Sequence, residues 1–144
     1  MPAYVPPGLD PSPEIMDKSA EHVVFQFLPA PRESSEKTAV PLFLEIAQQF
    51  DPLSLPLLCG GGSSLEDYDL GDLDLECVKV DGRPADLQTT EQPDGEVEHM
   101  ISFELGDLDI YVSLWWRRGP DASPETEEQM KQEVLRVAAS MAAP

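Results

Sequence analysis

The sequence predicts an α+β domain in which an antiparallel sheet of about four to five strands carries two main helices packed largely on one face. The prediction depends on segments that alternate apolar and polar residues, on apolar stripes at helical spacing, and on a two-residue hairpin signal. The helices are expected at about residues 38–50 and 124–142. The 144 residues match one domain, which we divide into a proline-rich extended arm (residues 1–13) and a single acidic α+β domain (residues 14–144).

The first half of the chain is expected to contain the arm, one strand and two helices. Five prolines in residues 1–13 predict an extended arm, because proline has no backbone N–H to donate. A Ser-Pro-Glu sequence has the order of a helix start and predicts a short helix over residues 13–20. Residues 22–28 alternate in hydrophobicity and predict a strand, whereas residues 38–50 predict the first main helix. The apolar stripe of that helix is Phe43, Ile46, Ala47 and Phe50.

The middle of the chain is rich in glycine, proline and acidic residues. Residues 53–58 are apolar but contain a proline, so we expect an edge strand or an irregular segment, and residues 60–64 are expected to form a flexible Gly-Ser loop. Residues 73–80 alternate and end at an Asp-Gly turn signal, which predicts a strand with Cys77 facing the core. Residues 83–97 contain proline and glycine among polar residues and predict a long exposed loop.

The last third of the chain carries the clearest signals. Residues 100–105 and 108–116 alternate and are separated by Gly-Asp, a linker suited to a hairpin, with Trp116 on the core side. A second Ser-Pro-Glu sequence is followed by an apolar stripe at helical spacing, which predicts the terminal helix over residues 124–142. This stripe consists of Met130, Val134, Val137, Ala138 and Met141.

The chain is strongly acidic. Nine Lys and Arg residues stand against 28 Asp and Glu residues, which gives a formal net charge of −19. This charge argues against bare nucleic acid and anionic membranes as partners, since both are themselves negative. It has two interpretations, general solubility or complementarity to a basic protein surface. Fifteen of the acidic residues lie between Glu66 and Asp109, where most of the strands are predicted.

Two features bear on where the protein acts. No run of residues approaches the length of a membrane span, and the first residues lack the basic and apolar segments of a signal peptide. Cys59 and Cys77 are too few for a disulfide framework, so we expect both to be reduced. These observations predict a cytoplasmic protein that folds without a metal or a disulfide.

Side chains suited to metal binding or catalysis are poorly arranged along the sequence. The acidic residues at 67–76 do not fit the EF-hand pattern. If Asp67 is the first residue of the loop, Asp72 stands at the sixth position, which requires Gly, and Val78 at the twelfth, which requires Glu. His22 and His99 are isolated, so no zinc site is expected. The sequence therefore predicts no enzyme, no cofactor and no metal site.

A surface is the remaining candidate for function. If the strand at residues 73–80 and the hairpin share one sheet, the face opposite the core combines carboxylates with aromatic side chains. Tyr and Trp are frequent at the centres of interfaces, because each has a large apolar area and a polar group. The alternative is that Trp115 is covered by the arm or by another loop. The candidate partner-binding residues are Asp74, Glu76, Glu104, Asp109, Tyr111 and Trp115.

In composition, though in no motif, this small acidic chain is similar to immunity proteins and other protein inhibitors. Composition and the acidic face favour a non-catalytic cytoplasmic protein that neutralises a basic partner, such as a toxin, an effector or a nucleic-acid-binding protein. Three alternatives stay open. They are a nucleic-acid mimic that occupies the site of a DNA- or RNA-binding protein, a secretion or assembly adaptor or chaperone, and a small enzyme with an unrecognised carboxylate site.

Overall fold

The computed structural model describes residues 2–18, 22–29, 41–49, 74–106, 108–118 and 123–142. Within these ranges the chain forms seven β-strands and one α-helix. The strands are β1 (Glu14–Lys18), β2 (His22–Phe27), β3 (Pro41–Gln49), β4 (Asp74–Val80), β5 (Arg83–Glu91), β6 (Glu96–Leu105) and β7 (Leu108–Arg117), and the helix is α1 (Pro124–Ala142). The segments predicted at residues 53–58 and 60–64 lie outside the described residues.

All seven strands belong to one antiparallel sheet with the order β1-β2-β3-β7-β6-β5-β4. Two meanders, β1-β2-β3 and β4-β5-β6-β7, join through the β3–β7 pair. The helix α1 packs against β4, β6 and β7; we call this side of the sheet the helix face and the opposite side the distal face. The predicted fold class is therefore wrong, because the sheet has seven strands instead of four to five and the described residues form one helix instead of two.

The main helix predicted over residues 38–50 is replaced by strand β3, in the interior of the sheet between β2 and β7. Leu44 and Ile46 are fully buried on the helix face, and Phe43 and Ala47 lie on the distal face. Apolar residues on both faces of a strand produce spacings of three and four residues, which imitate a helical stripe. Backbone pairing along both edges of β3 decides the outcome in favour of the strand.

The short helix predicted over residues 13–20 is also wrong, because β1 forms the edge of the sheet and pairs with β2. The register of this pair shifts between Ile15 and Asp17, a bulge of the kind that is common at sheet edges. The Ser-Pro-Glu signal is compatible with this outcome, since proline is tolerated at the beginning of an edge strand.

The long loop predicted over residues 83–97 is replaced by β5, a turn and the start of β6. Ala85, Leu87 and Val97 are buried on the helix face, whereas Asp86 and Gln88 lie on the distal face. Because one face of β5 is polar, the average composition of the segment is polar, and the segment was therefore interpreted as a loop despite its alternation. The turn itself lies at residues 92–95, where Gly95 has a φ of 90° that favours glycine.

The other predicted strands and the terminal helix are confirmed. The β6–β7 hairpin forms as expected, and Gly106 in its turn has a φ of 63°. Trp116 is fully buried, as the alternation of β7 predicts. The core lies between the helix face and α1. The helix contributes Met130, Val134, Val137, Ala138 and Ala142 to it.

The arm at the N-terminus packs against the rest of the domain. The backbone N–H groups of Ala3 and Tyr4 donate to Ser140 Oγ of α1 at 3.1 and 3.2 Å. Leu9 is only 5% exposed and belongs to the core, and its backbone bridges to Pro29 just after β2. The arm and α1 therefore contribute to the same core.

Candidate partner-binding face

The centre of the distal face is formed by side chains from β3, β6 and β7. Phe43 lies opposite Trp115 and Glu45 opposite Ser113 in the β3–β7 pair, while Glu98 lies opposite Trp115 in the β6–β7 pair. Directly opposite side chains on one face have Cβ atoms about 4.5–5.5 Å apart. These five residues therefore form one group, which we call the Trp115 cluster.

An aromatic pair is the apolar part of the Trp115 cluster. The rings of Phe43 and Trp115 stack with 5.5 Å between centroids and 20° between planes. Both side chains are partly exposed. A stacked pair of this kind keeps a flat apolar surface in a fixed orientation, and such surfaces supply much of the binding energy at protein interfaces.

Two carboxylates and a hydroxyl form the polar part of the cluster. Burial raises the pKa of Glu98 above its ordinary value, a hydrogen bond from Ser113 opposes this effect, and the nearby carboxylate of Glu45 raises the pKa further. Ser113 is only 8% exposed and lies directly opposite Glu45. The ionised form of Glu98 is thus disfavoured in the free protein, and an approaching cation would stabilise it.

A second acidic group continues the distal face along β6 and β7. Glu104 lies directly opposite Asp109, and Ser102 directly opposite Tyr111. Like charges at directly opposite positions repel each other. In addition, the Oδ2 atom of Asp109 is buried and accepts no hydrogen bond within the described part of the chain. This group, like the Trp115 cluster, is complementary to positive charge.

His99 is the described side chain best suited to acid–base chemistry, but it is enclosed. It is 0% exposed, and its two ring nitrogens are hydrogen-bonded to Thr89 and Trp116. No described residues form a group of three or more His, Cys, Asp or Glu that could hold a metal ion. Among the helices of the described ranges, none is long and apolar enough to cross a membrane.

Comparisons with other proteins provide no outside indication of function. No protein-family model, curated protein or solved structure matches this chain.

The structure divides the six predicted partner-binding residues between the two faces. Asp74 and Glu76 are on the helix face, where they lie opposite Thr89 and Leu87 of β5. The Oε1 atom of Glu76 accepts a hydrogen bond from Lys131 Nζ of α1 at 2.8 Å, so this carboxylate links the helix to the sheet. The residues that do share the distal face are Glu104, Asp109, Tyr111 and Trp115.

The position of Asp74 and Glu76 follows from the alternation of β4, which is the reverse of the predicted one. Val78 and Val80 contact the core, and Cys77 is exposed on the distal side. The strand carries apolar residues at both parities, so alternation alone did not identify the buried face. Cys77 is also disulfide-bonded, which corrects the expectation of two reduced thiols; the only other cysteine, Cys59, lies outside the described residues.

Sequence reasoning missed three members of the Trp115 cluster. Phe43 and Glu45 fell within the predicted helix, and Glu98 fell next to the predicted loop at residues 83–97. A usable signal was present for Glu98, because Val97 has the same parity as Ile101 and Phe103 of the predicted strand, which puts Glu98 on the opposite face.

Proposed function

We propose that the protein is a non-catalytic binding protein that docks on a basic protein through its distal face, in the manner of an immunity or inhibitor protein. The observation that carries the proposal is the position of Glu45 and Glu98 beside the stacked rings of Phe43 and Trp115. Arg and Lys combine an apolar stem with a charged end. Such a side chain can pack on the indole ring while its charge meets a carboxylate.

The electrostatics of the face support a cationic partner. The net charge of −19 attracts positive surfaces from a distance and increases the rate of encounter. At contact, a cation lowers the pKa of Glu98 and removes the repulsion from Glu45. An acidic partner would do the opposite, so the local and the global electrostatics favour the same class of partner.

The architecture supports the choice of face. The helix face is packed against α1 and the N-terminal arm, and its side chains form the core. Among the described elements, the distal face is therefore the broad surface of the sheet on which a partner can dock. Its strands are rigid supports, because each of β3, β6 and β7 is paired along both edges.

The disulfide bears on the place of action. Disulfide bonds persist mainly in oxidising compartments, so the bonded state of Cys77 weighs against the cytoplasmic location that the sequence predicts. The proposal is that the protein meets its basic partner in an oxidising compartment.

Matched charge variants test the proposal with a poly-arginine peptide as the probe. The double substitution Glu45→Gln with Glu98→Gln removes two charges from the Trp115 cluster. The control, Glu125→Gln with Glu128→Gln, removes two charges from exposed positions of α1. We expect the first variant to lose affinity by about tenfold and the control by much less, because charges that lie farther from the bound peptide than the Debye screening length of about 10 Å are largely screened.

The measurement is isothermal titration calorimetry at low and moderate salt. Affinity that falls equally in both variants would mean that the peptide responds to total charge and not to the distal face. In that case the proposed docking surface is wrong.

A further inference from the structure

A buried histidine lies in the part of the helix face that α1 covers. Trp116 Nε1–H donates to Nε2 of His99 at 2.9 Å. With Nε2 acting as the acceptor, the ring proton is on Nδ1, which is 2.9 Å from Thr89 Oγ1. His99 is therefore neutral, in one tautomer, and both of its nitrogens are occupied.

Protonation of His99 is incompatible with this arrangement. A second ring proton on Nε2 would point at the N–H donor of Trp116, and two donors cannot form a hydrogen bond. Trp116 has no room to turn away, because its ring is 0% exposed and stacks on the imidazole with 6.1 Å between centroids. The directly opposite residue, Leu114, is apolar and buried, so it offers no compensating acceptor.

The charged groups around His99 belong to the contacts between α1 and the sheet. Lys131 of α1 pairs with Glu76 of β4 at 2.8 Å. Arg118, just after β7, pairs with Glu127 of α1 at 3.2 Å and with Glu91 of β5 at 3.0 Å. The pairs of Lys131 with Glu76 and of Arg118 with Glu127 join the helix to the sheet, and the pair of Arg118 with Glu91 joins the end of β7 to β5.

The pKa of His99 reflects this environment. Burial lowers it most, Lys131 and Arg118 lower it further, and Glu76 opposes them, with the result that the pKa falls from 6.5 to about 4. The difference means that any state in which His99 reaches water binds a proton more readily than the closed state. The equilibrium constant for opening would therefore be about 300-fold larger below pH 4 than at neutral pH.

We propose that His99 makes the docking of α1 on the sheet sensitive to acid: when His99 is protonated, its bond to Trp116 breaks and α1 leaves the helix face while the strand ladder persists. The helix is attached through side-chain contacts, whereas the strands also share backbone hydrogen bonds. Proteins open locally in contiguous units, with free energies that range up to that of global unfolding, and α1 is one such unit. This device is separate from the proposed docking on the distal face.

The direction of the effect follows from the lowered pKa. Above about pH 6.5 neither state binds the proton and docking is at full strength. Between about pH 6.5 and pH 4 the open state binds it and the closed state does not, so docking weakens as the pH falls. Glu76 and Glu127 also take part in the contacts between α1 and the sheet, so the test needs a variant that removes only the histidine.

Amide hydrogen exchange followed by NMR tests the proposal across this pH range in the wild-type protein. After correction for intrinsic exchange rates, we expect the protection of α1 to fall as the pH is lowered, and that of β6 and β7 to fall much less. The Trp116 indole resonance should shift with the same midpoint. In His99→Gln, whose side chain can still bond to Trp116 and Thr89, the pH-dependent loss should be reduced by at least tenfold.

His22→Gln is the matched control and should behave as the wild type. Three results would overturn the proposal: equal loss of protection in the strands and in α1, a wild-type profile in His99→Gln, or an imidazole NMR titration of the closed wild-type protein at its ordinary pKa of 6.5. The last measurement needs no variant, so the proposal stays testable if His99→Gln does not fold.

Discussion

Trp115 and Trp116 are neighbours in the sequence but lie on opposite faces of the sheet. Trp115 is partly exposed on the distal face and stacks on Phe43. Trp116 is fully buried on the helix face and donates to His99. The alternation of β7 thus assigns one indole to the surface and the other to the core, and the two should respond differently to truncation.

Substitution by alanine distinguishes the two residues. Trp116→Ala should lower the free energy of unfolding by about 3–5 kcal/mol, because it leaves a large cavity and an unpaired imidazole. Trp115→Ala should lower it by only about 0.5–1.5 kcal/mol, the contribution of a stacked pair. Urea unfolding measures both values, and a larger loss for Trp115→Ala would place that residue in the core and remove it from the docking surface.

Glu98→Gln is expected to stabilise the protein at neutral pH. Since the pKa of Glu98 is raised in the folded state, its contribution to stability is present below the ordinary glutamate pKa and is lost as the pH rises through the folded value. The variant should therefore be more stable than the wild type at neutral pH and equal to it in acid. Glu14→Gln, at an exposed position of β1, is the control and should change stability little. A stability difference that does not vary with pH would contradict the burial of Glu98.

The N-terminal arm should be part of the folding unit. Leu9→Ala is expected to lower the free energy of unfolding by about 2–3 kcal/mol, because Leu9 is 5% exposed in the core. Ile15→Ala, at a position that is 59% exposed in β1, removes a similar side chain and should cost less than about 0.5 kcal/mol. Equal values for the two variants in thermal or urea unfolding would show that the arm is dispensable.

The disulfide of Cys77 should contribute to stability. Because Cys59 is the only other cysteine, peptide mapping without reductant should recover a linked Cys59–Cys77 pair. Reduction should lower the free energy of unfolding by about 3 kcal/mol, the value expected for a loop of about 15 to 20 residues. Two free thiols in protein that was purified without reductant would contradict this assignment and restore the expectation of reduced cysteines.

The elements that could be predicted from the sequence are those with one buried face and one polar face. The β6–β7 hairpin and α1 have this property; the bounds of α1 and the turn of the hairpin were predicted correctly, although β6 begins four residues before the predicted strand. Strand β3 lacks this property, because it carries apolar residues on both faces and the spacing of these residues fits a helix equally well. Only the pairing of β3 with β2 and β7, which is a long-range interaction, resolves the ambiguity.

The candidate site was predictable to the same extent. Alternation within the hairpin placed Glu104, Asp109, Tyr111 and Trp115 on one face. It did not place Glu76, since the register between β4 and its neighbour depends on a turn and on contacts with Lys131 that no local pattern reveals. Phe43, which stacks on Trp115, required the position of β3 in the sheet.

The most direct test of the account is to locate the binding surface for a cationic probe residue by residue. A poly-arginine peptide titrated into isotopically labelled protein should shift the amide resonances of β3, β6 and β7 around Glu45, Glu98 and Trp115. These shifts should reach saturation and should persist at moderate salt. Trp115→Ala should weaken this binding by about 2 kcal/mol, as expected for an interface hot spot. Shifts concentrated on α1 or on β4, with the Trp115 cluster unaffected, would contradict the claim that the distal face binds a basic partner.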